Sequence, residues 1–185
     1  MRYENPEMEK RALYAVADLM VLAARTAPKG RGMDNIITFV IDGAEKDALS
    51  AEMRKIGEKT GADFFIRDAR NIDNSEFVVF VGVKTNPVGL ENCSFCGFEN
   101  CGATMKAGGR CAFNMTDLGI ALGSAVTVAS NHKADNRIMF SAGKAALNLN
   151  YLPENVKVCY GIPLSATSKS IYFDRDSVVT CVPEE

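Results

Sequence analysis

Four of the six cysteines fall between positions 93 and 111, spaced Cys93-x2-Cys96-x4-Cys101-x9-Cys111, and this cluster constrains the chain more than any other feature. The N-terminus, MRYENPEMEKRALY, is charged and has no apolar h-region of a secretion signal, so the protein is expected in the cytoplasm. Thiols there stay reduced, and clustered cysteines read as metal ligands or redox groups rather than a disulfide framework. Four thiolates are the complement of a 4Fe-4S cubane or a tetrahedral zinc. A zinc site usually shows two separated C-x2-C knuckles, whereas here one pair is followed by two single cysteines at unequal spacing, which favours iron-sulfur. Gly97, Gly102, Gly108 and Gly109 suit a loop that wraps a cluster with unusual backbone angles and turns amides toward sulfur. Cysteines packing as small hydrophobes are the bland alternative, and a glycine-rich polar segment is a poor place for it. Cys93, Cys96, Cys101 and Cys111 are therefore the predicted ligands, with Cys159 able to replace Cys111 if the fold brings its strand close. Cys159 and Cys181 are otherwise read as core residues.

With 185 residues, 47% hydrophobic and 24% charged, the chain can bury a core without covalent staples, as one domain spanning 1–185 with a cluster-binding segment inserted at 91–113. A net charge of -2 with scattered Lys and Arg gives no footprint for a nucleic-acid backbone or an anionic membrane, and neither is expected as a partner. No apolar run approaches the roughly 18 residues of a membrane span.

Apolar residues at three- and four-residue spacing from Pro6 to Ala27 predict a long amphipathic helix that stops at Pro28, followed by a glycine-rich loop, KGRGMDN. Strands are predicted at Asn35–Ile41, Glu76–Val83 and Val156–Ile162, with a short strand or extended tail at Ile171–Arg175. Helices are predicted at Glu45–Thr60 and Ala134–Leu149, and a short helix or extended piece at Phe64–Asp73. Met115–Ser130 is small and apolar on nearly all sides and predicts a buried central helix, with Asp117 in its first turn facing the helix dipole. The fold class is α/β (α+β), three layers around a sheet. On chemistry alone Arg25, Lys29, Arg31, Lys169 and Arg175 are candidate phosphate ligands, though each taken singly reads more readily as a solvated surface charge.

The segment NCSFCGFENC resembles the C-x2-C-G-x3/4-C motif of corrinoid iron-sulfur proteins and electron-transport complex subunits, which implies a 4Fe-4S cluster. Most of the chain resembles a family of uncharacterised prokaryotic proteins containing a ferredoxin domain. Outside the cysteine segment the order of elements resembles the nitroreductase family of flavoproteins. Ala24-Arg25-Thr26-Ala27-Pro28-Lys29-Gly30 followed by Asn35 is similar to that family's A-R-x-A-P-S-x-x-N segment. Asp117-Leu118-Gly119-Ile120-Ala121 resembles its central dimer helix, and Tyr160-Gly161-Ile162-Pro163-Leu164 leading to Lys169 and Arg175 resembles its late strand and basic phosphate contacts. The resemblance implies a nitroreductase-like scaffold, FMN as a second cofactor held through Arg25, Lys29, Arg31, Asn35, Lys169 and Arg175, and a homodimer.

The leading functional expectation is an oxidoreductase coupling the cluster to FMN and acting on a redox partner protein or a small-molecule substrate, since a flavin exchanges one or two electrons. The family's opening Arg-Arg-Ser segment is absent, which keeps open a flavin-free electron carrier or redox sensor. A zinc-stabilised interaction module is the third reading. His132, the sole histidine, lies in a polar turn and is read as a capping or surface residue. Gly30-Arg31-Gly32 has the wrong spacing for a dinucleotide loop, and Asp174 and Asp176 do not define a glycosidase pair.

Overall fold

The structure, a computed structural model, describes residues 2–173. Its organising element is the strand β2 (Phe77–Lys84), FVVFVGVK, buried at its first seven positions. A strand with no polar face needs cover on both sides. It lies inside a four-stranded sheet with β1 (Ile36–Ile41), β4 (Val156–Ser165) and the two-residue β3 (Asp135–Asn136), in the order β1-β2-β4-β3. All three pairings are antiparallel, with Phe39 opposite Phe80 and Phe80 opposite Gly161 in register.

Alternation along β2 divides the core in two. Val79, Val81 and Val83 join Ile36, Ile162 and Leu164 beneath α1 (Asn5–Thr26) and the long central helix, while Val78 and Phe80 join Ile41 and Cys159 on the opposite face. That opposite face is covered by α2 (Gly43–Thr60), α3 (Asp63–Asp73) and α6 (Phe140–Asn148). The six α-helices of the described residues are completed by α4 (Cys101–Lys106) and the central α5 (Ala112–Asn131). Pro6 at the start of α1 costs no helical hydrogen bond, and the chain leaves the helix at Ala27, before Pro28. At Gly143 of α6 a Cβ would stand 1.8 Å from the Cys159 carbonyl oxygen, so this helix lies directly on β4.

The fold is thus mixed α/β with an antiparallel sheet, and several sequence expectations change. The helix expected over 134–149 begins only at Phe140, because Asp135 and Asn136 pair with Ser165 and Leu164 at the sheet edge. Residues 171–173 form a turn rather than a strand, and the rest of that expected strand lies outside the described residues. The central helix starts at Ala112, three residues early, so Asp117 is not in its first turn. By length and composition α5 is apolar enough to cross a membrane, contrary to the expectation that no run is. Its Leu118, Ala121, Leu122, Ala125 and Ala129 are buried against α1 and the sheet, which is how a core helix meets the same test.

Candidate metal centre

The chain leaves β2 at Lys84, runs without regular structure to Asn100, makes the short α4, and re-enters the core at Cys111, the N-cap of α5. This path brings the four clustered cysteines together around one cavity of about 80 Å³, also lined by Val88 and Phe98. Cys93, Cys96 and Cys101 are half-buried and Cys111 is 9% exposed. The backbone reaches this shape through left-handed residues. Gly97 has φ +82° and donates its amide to the Ser94 carbonyl at 2.9 Å, closing the turn between Cys93 and Cys96. Ser94 itself has φ +45°, an angle that a residue with a Cβ adopts at some cost.

Cys96 has a hydrogen-bond partner for its sulfur. Its Sγ lies 3.0 Å from the Thr104 hydroxyl, and this contact, with the Phe98 amide, holds the thiol below the ordinary thiol range. Cys159 is the reverse. It sits in the core on the other face of the sheet, where burial pushes its thiol up to about 12. It does not stand in for Cys111, since its strand faces away from the cavity that the other four line.

Metal ligation needs thiolates in number and in place. Among the described residues, no three Cys, His, Asp or Glu side chains are gathered closely enough to hold a single ion. One zinc would draw four sulfurs to about 2.3 Å from a common centre, whereas a cubane presents four separate iron corners to ligands spread around a cavity. Four thiols around one pocket fit the second arrangement.

The root of the cysteine segment is held by residues from two distant parts of the chain. Arg31 donates through Nη1 to the carbonyls of Val88 at 3.3 Å and Gly89 at 2.8 Å. Asn35 donates through Nδ2 to the Asn86 carbonyl at 3.1 Å and to Asn114 Oδ1 at 3.2 Å. Asn114, 1% exposed in the first turn of α5, donates to the carbonyls of Lys84 at 3.2 Å and Asn86 at 2.6 Å. Both oxygens of Asp117 accept the Gly30 amide, at 3.0 and 3.1 Å, tying the loop after α1 to α5. Neither Asn114 nor the role of Asp117 stood out in the sequence. Their only signal was polarity at positions 114 and 117 of an otherwise apolar helix.

These bonds bear on the six residues offered to a flavin. Arg25 pairs with Asp34 and donates to the Ile36 carbonyl at 3.2 Å. Lys29, its side chain only 6% exposed, caps the C-terminal end of α1 by donating to the carbonyls of Ala24, Arg25 and Ala27. Arg31 and Asn35 hold the cysteine segment. Lys169 is exposed, and Arg175 lies outside the described residues. Four of the six thus have partners within the chain. His132 caps the C-terminal end of α5 and is exposed, as its turn suggested. Asp174, Asp176 and Cys181 lie outside the described residues.

Comparison with known proteins gives a family and a fold. Residues 107–175 match the family described as "Uncharacterized protein containing a ferredoxin domain (DUF2148)". An uncharacterised protein from Archaeoglobus fulgidus is 39% identical over 183 residues, covering 95% of this chain and 98% of that one. Among solved structures, an FMN-dependent nitroreductase from Clostridium difficile is similar over 84% of this chain and 76% of its own, at 15% identity and a TM-score of 0.55. A protein from Desulfovibrio desulfuricans assigned as a nitroreductase, in complex with FMN, matches over 99% of this chain and 98% of its own, at 13% identity and a TM-score of 0.56. At such identities these two show a shared fold, which is nitroreductase-like.

Proposed function

The chain belongs to the family of uncharacterised proteins containing a ferredoxin domain, and from that premise we propose that it is an iron-sulfur electron-transfer protein built on a nitroreductase-like scaffold, with a 4Fe-4S cluster held by Cys93, Cys96, Cys101 and Cys111. The observation that carries this reading is the convergence of those four thiols on one cavity. A cluster in that place supplies one-electron oxidation and reduction. The chain's part is to hold four thiolates, keep Cys111 out of water, and leave Cys93, Cys96 and Cys101 near the surface, within reach of a partner protein that donates or accepts one electron.

The flavin-coupled oxidoreductase is the second reading, supported by the FMN-bound fold relative. The engagement of Arg25, Lys29, Arg31 and Asn35 within the chain weighs against it and favours a carrier or sensor without flavin. The proposal extends to a single domain spanning 1–185, with residues 91–113 as the inserted cluster-binding segment. It also extends to a homodimer through the outward face of α5, where Thr116, Gly119, Ile120, Gly123 and Thr127 are exposed, and to a reducing compartment such as the cytoplasm, where free thiols persist.

The test is anaerobic purification followed by iron, sulfide, zinc and flavin analysis of one sample. About four iron and four sulfide per chain, without flavin, is the expected result for a cubane carrier. Zinc without iron overturns the redox reading in favour of a structural site. Stoichiometric flavin beside iron transfers it to the coupled oxidoreductase.

A further inference from the structure

Thr104 is not a ligand, yet its hydroxyl is the side-chain group nearest in role to the proposed cluster. It lies three residues after Cys101 on α4, so the two share a helix face. Its Oγ1 is 3.0 Å from Cys96 Sγ and 3.2 Å from the Asn100 carbonyl. The residue is 2% exposed, unlike most threonines of a surface loop. The loop is shaped to bury it: a Cβ at Gly109 would stand 3.1 Å from the Thr104 methyl and 2.9 Å from the Phe98 ring, so glycine there lets the chain close over both.

A hydroxyl has one proton to give. While Cys96 carries its own proton, the thiol can donate to Oγ1, and the Thr104 hydroxyl is free to donate to Asn100. A metal-bound thiolate only accepts. The Asn100 carbonyl already receives the Thr104 backbone amide at 3.1 Å, so it is not left without a donor when the hydroxyl turns to sulfur. Ligation of Cys96 therefore commits the hydroxyl to Sγ.

Resting on the reading above, we propose that Thr104 is a positioning residue that sets the reduction potential of the cluster by donating its hydroxyl to the Cys96 sulfur. A bound cluster would become one unit more negative on one-electron reduction, and part of that charge would fall on the thiolate sulfurs. A donor aimed at one of them stabilises the reduced form more than the oxidised form and raises the potential. Burial strengthens the effect, because water does not compete for the hydroxyl.

The experiment compares the wild-type full chain with Thr104→Val, which keeps the shape and removes the hydroxyl, and Thr104→Ser, which keeps the hydroxyl. Each is loaded with iron and sulfide anaerobically and titrated with dithionite through mediators, with the reduced cluster followed by electron paramagnetic resonance. Thr104→Val should carry wild-type iron and titrate at a more negative potential, and Thr104→Ser should return toward the wild-type value. A Thr104→Val protein that loads fully and titrates with wild type overturns the proposal, as does a Thr104→Ser protein displaced as far as Thr104→Val. Should Thr104→Val fail to load, Thr104→Ala takes its place under the same criteria. A wild-type chain that takes up no iron overturns the cluster reading itself, and this inference with it.

Discussion

Replacing Asn114 with leucine should loosen the cysteine segment without touching a cysteine. The two side chains have the same number of heavy atoms and the same branch at Cγ, so no cavity forms and the main change is the loss of polar contacts. Three hydrogen bonds disappear, those from Asn35 Nδ2 and to the carbonyls of Lys84 and Asn86. The Asn86 carbonyl keeps its bond from Asn35, so its loss is partial. At about 0.5–1.5 kcal/mol for each bond, and more where a buried partner is left unpaired, the sum is about 2–4 kcal/mol. The assay is urea unfolding of the metal-free chain, where the midpoint should fall with an unchanged slope. Because Asn114 anchors residues 84–86 to the turn that follows Cys111, Asn114→Leu should also retain less iron after anaerobic loading. A loss of stability below about 1 kcal/mol would refute the claim that this network holds the root of the segment.

Alanine at Cys93, Cys96, Cys101 or Cys111 should each abolish a stable four-iron centre, while Cys159→Ala should leave iron content at the wild-type level; iron and sulfide assays decide both. Cys159 also gives a pH signature. Its folded thiol is raised to about 12 from 9.0, so its contribution to stability is complete below pH 9 and is lost as pH rises from there toward 12, at no more than about 1.4 kcal/mol per unit. The stability gap between wild type and Cys159→Ala should therefore narrow between pH 9 and 11 in urea titrations, and a constant gap would contradict the burial argument. Gly143→Ala, with 1.8 Å between its Cβ and the Cys159 carbonyl, should force α6 off β4 and cost about 3 kcal/mol or more in the same assay. Gly123→Ala, on the outward face of α5 with nothing within 4 Å, should add up to about 1 kcal/mol in a monomer. If that face meets a second copy instead, light scattering should show the wild-type dimer weakened by the added methyl.

Much of this protein was legible in its sequence. The spacing of Cys93, Cys96, Cys101 and Cys111 singled out four thiols that the structure brings around one cavity, and glycine fell where the backbone needed positive φ, as at Gly97. The apolar runs at 36–41 and 77–84 became sheet interior because a strand without a polar face has nowhere else to go. Local signals did not reach remote partners. Arg31 read as a phosphate ligand because a cation in a glycine-rich loop suits an anion, and Asn35 entered through the nitroreductase resemblance; their partners within the chain lie 57 and 79 positions away. Asp117 looked like a response to its own helix dipole and instead takes an amide 87 positions distant. Spacing along a chain records which groups can share a helix face or a loop. It does not record which loop a fold lays against which helix, and only the packing of α5 beside β1 and β2 decided that these polar groups would hold the cysteine segment.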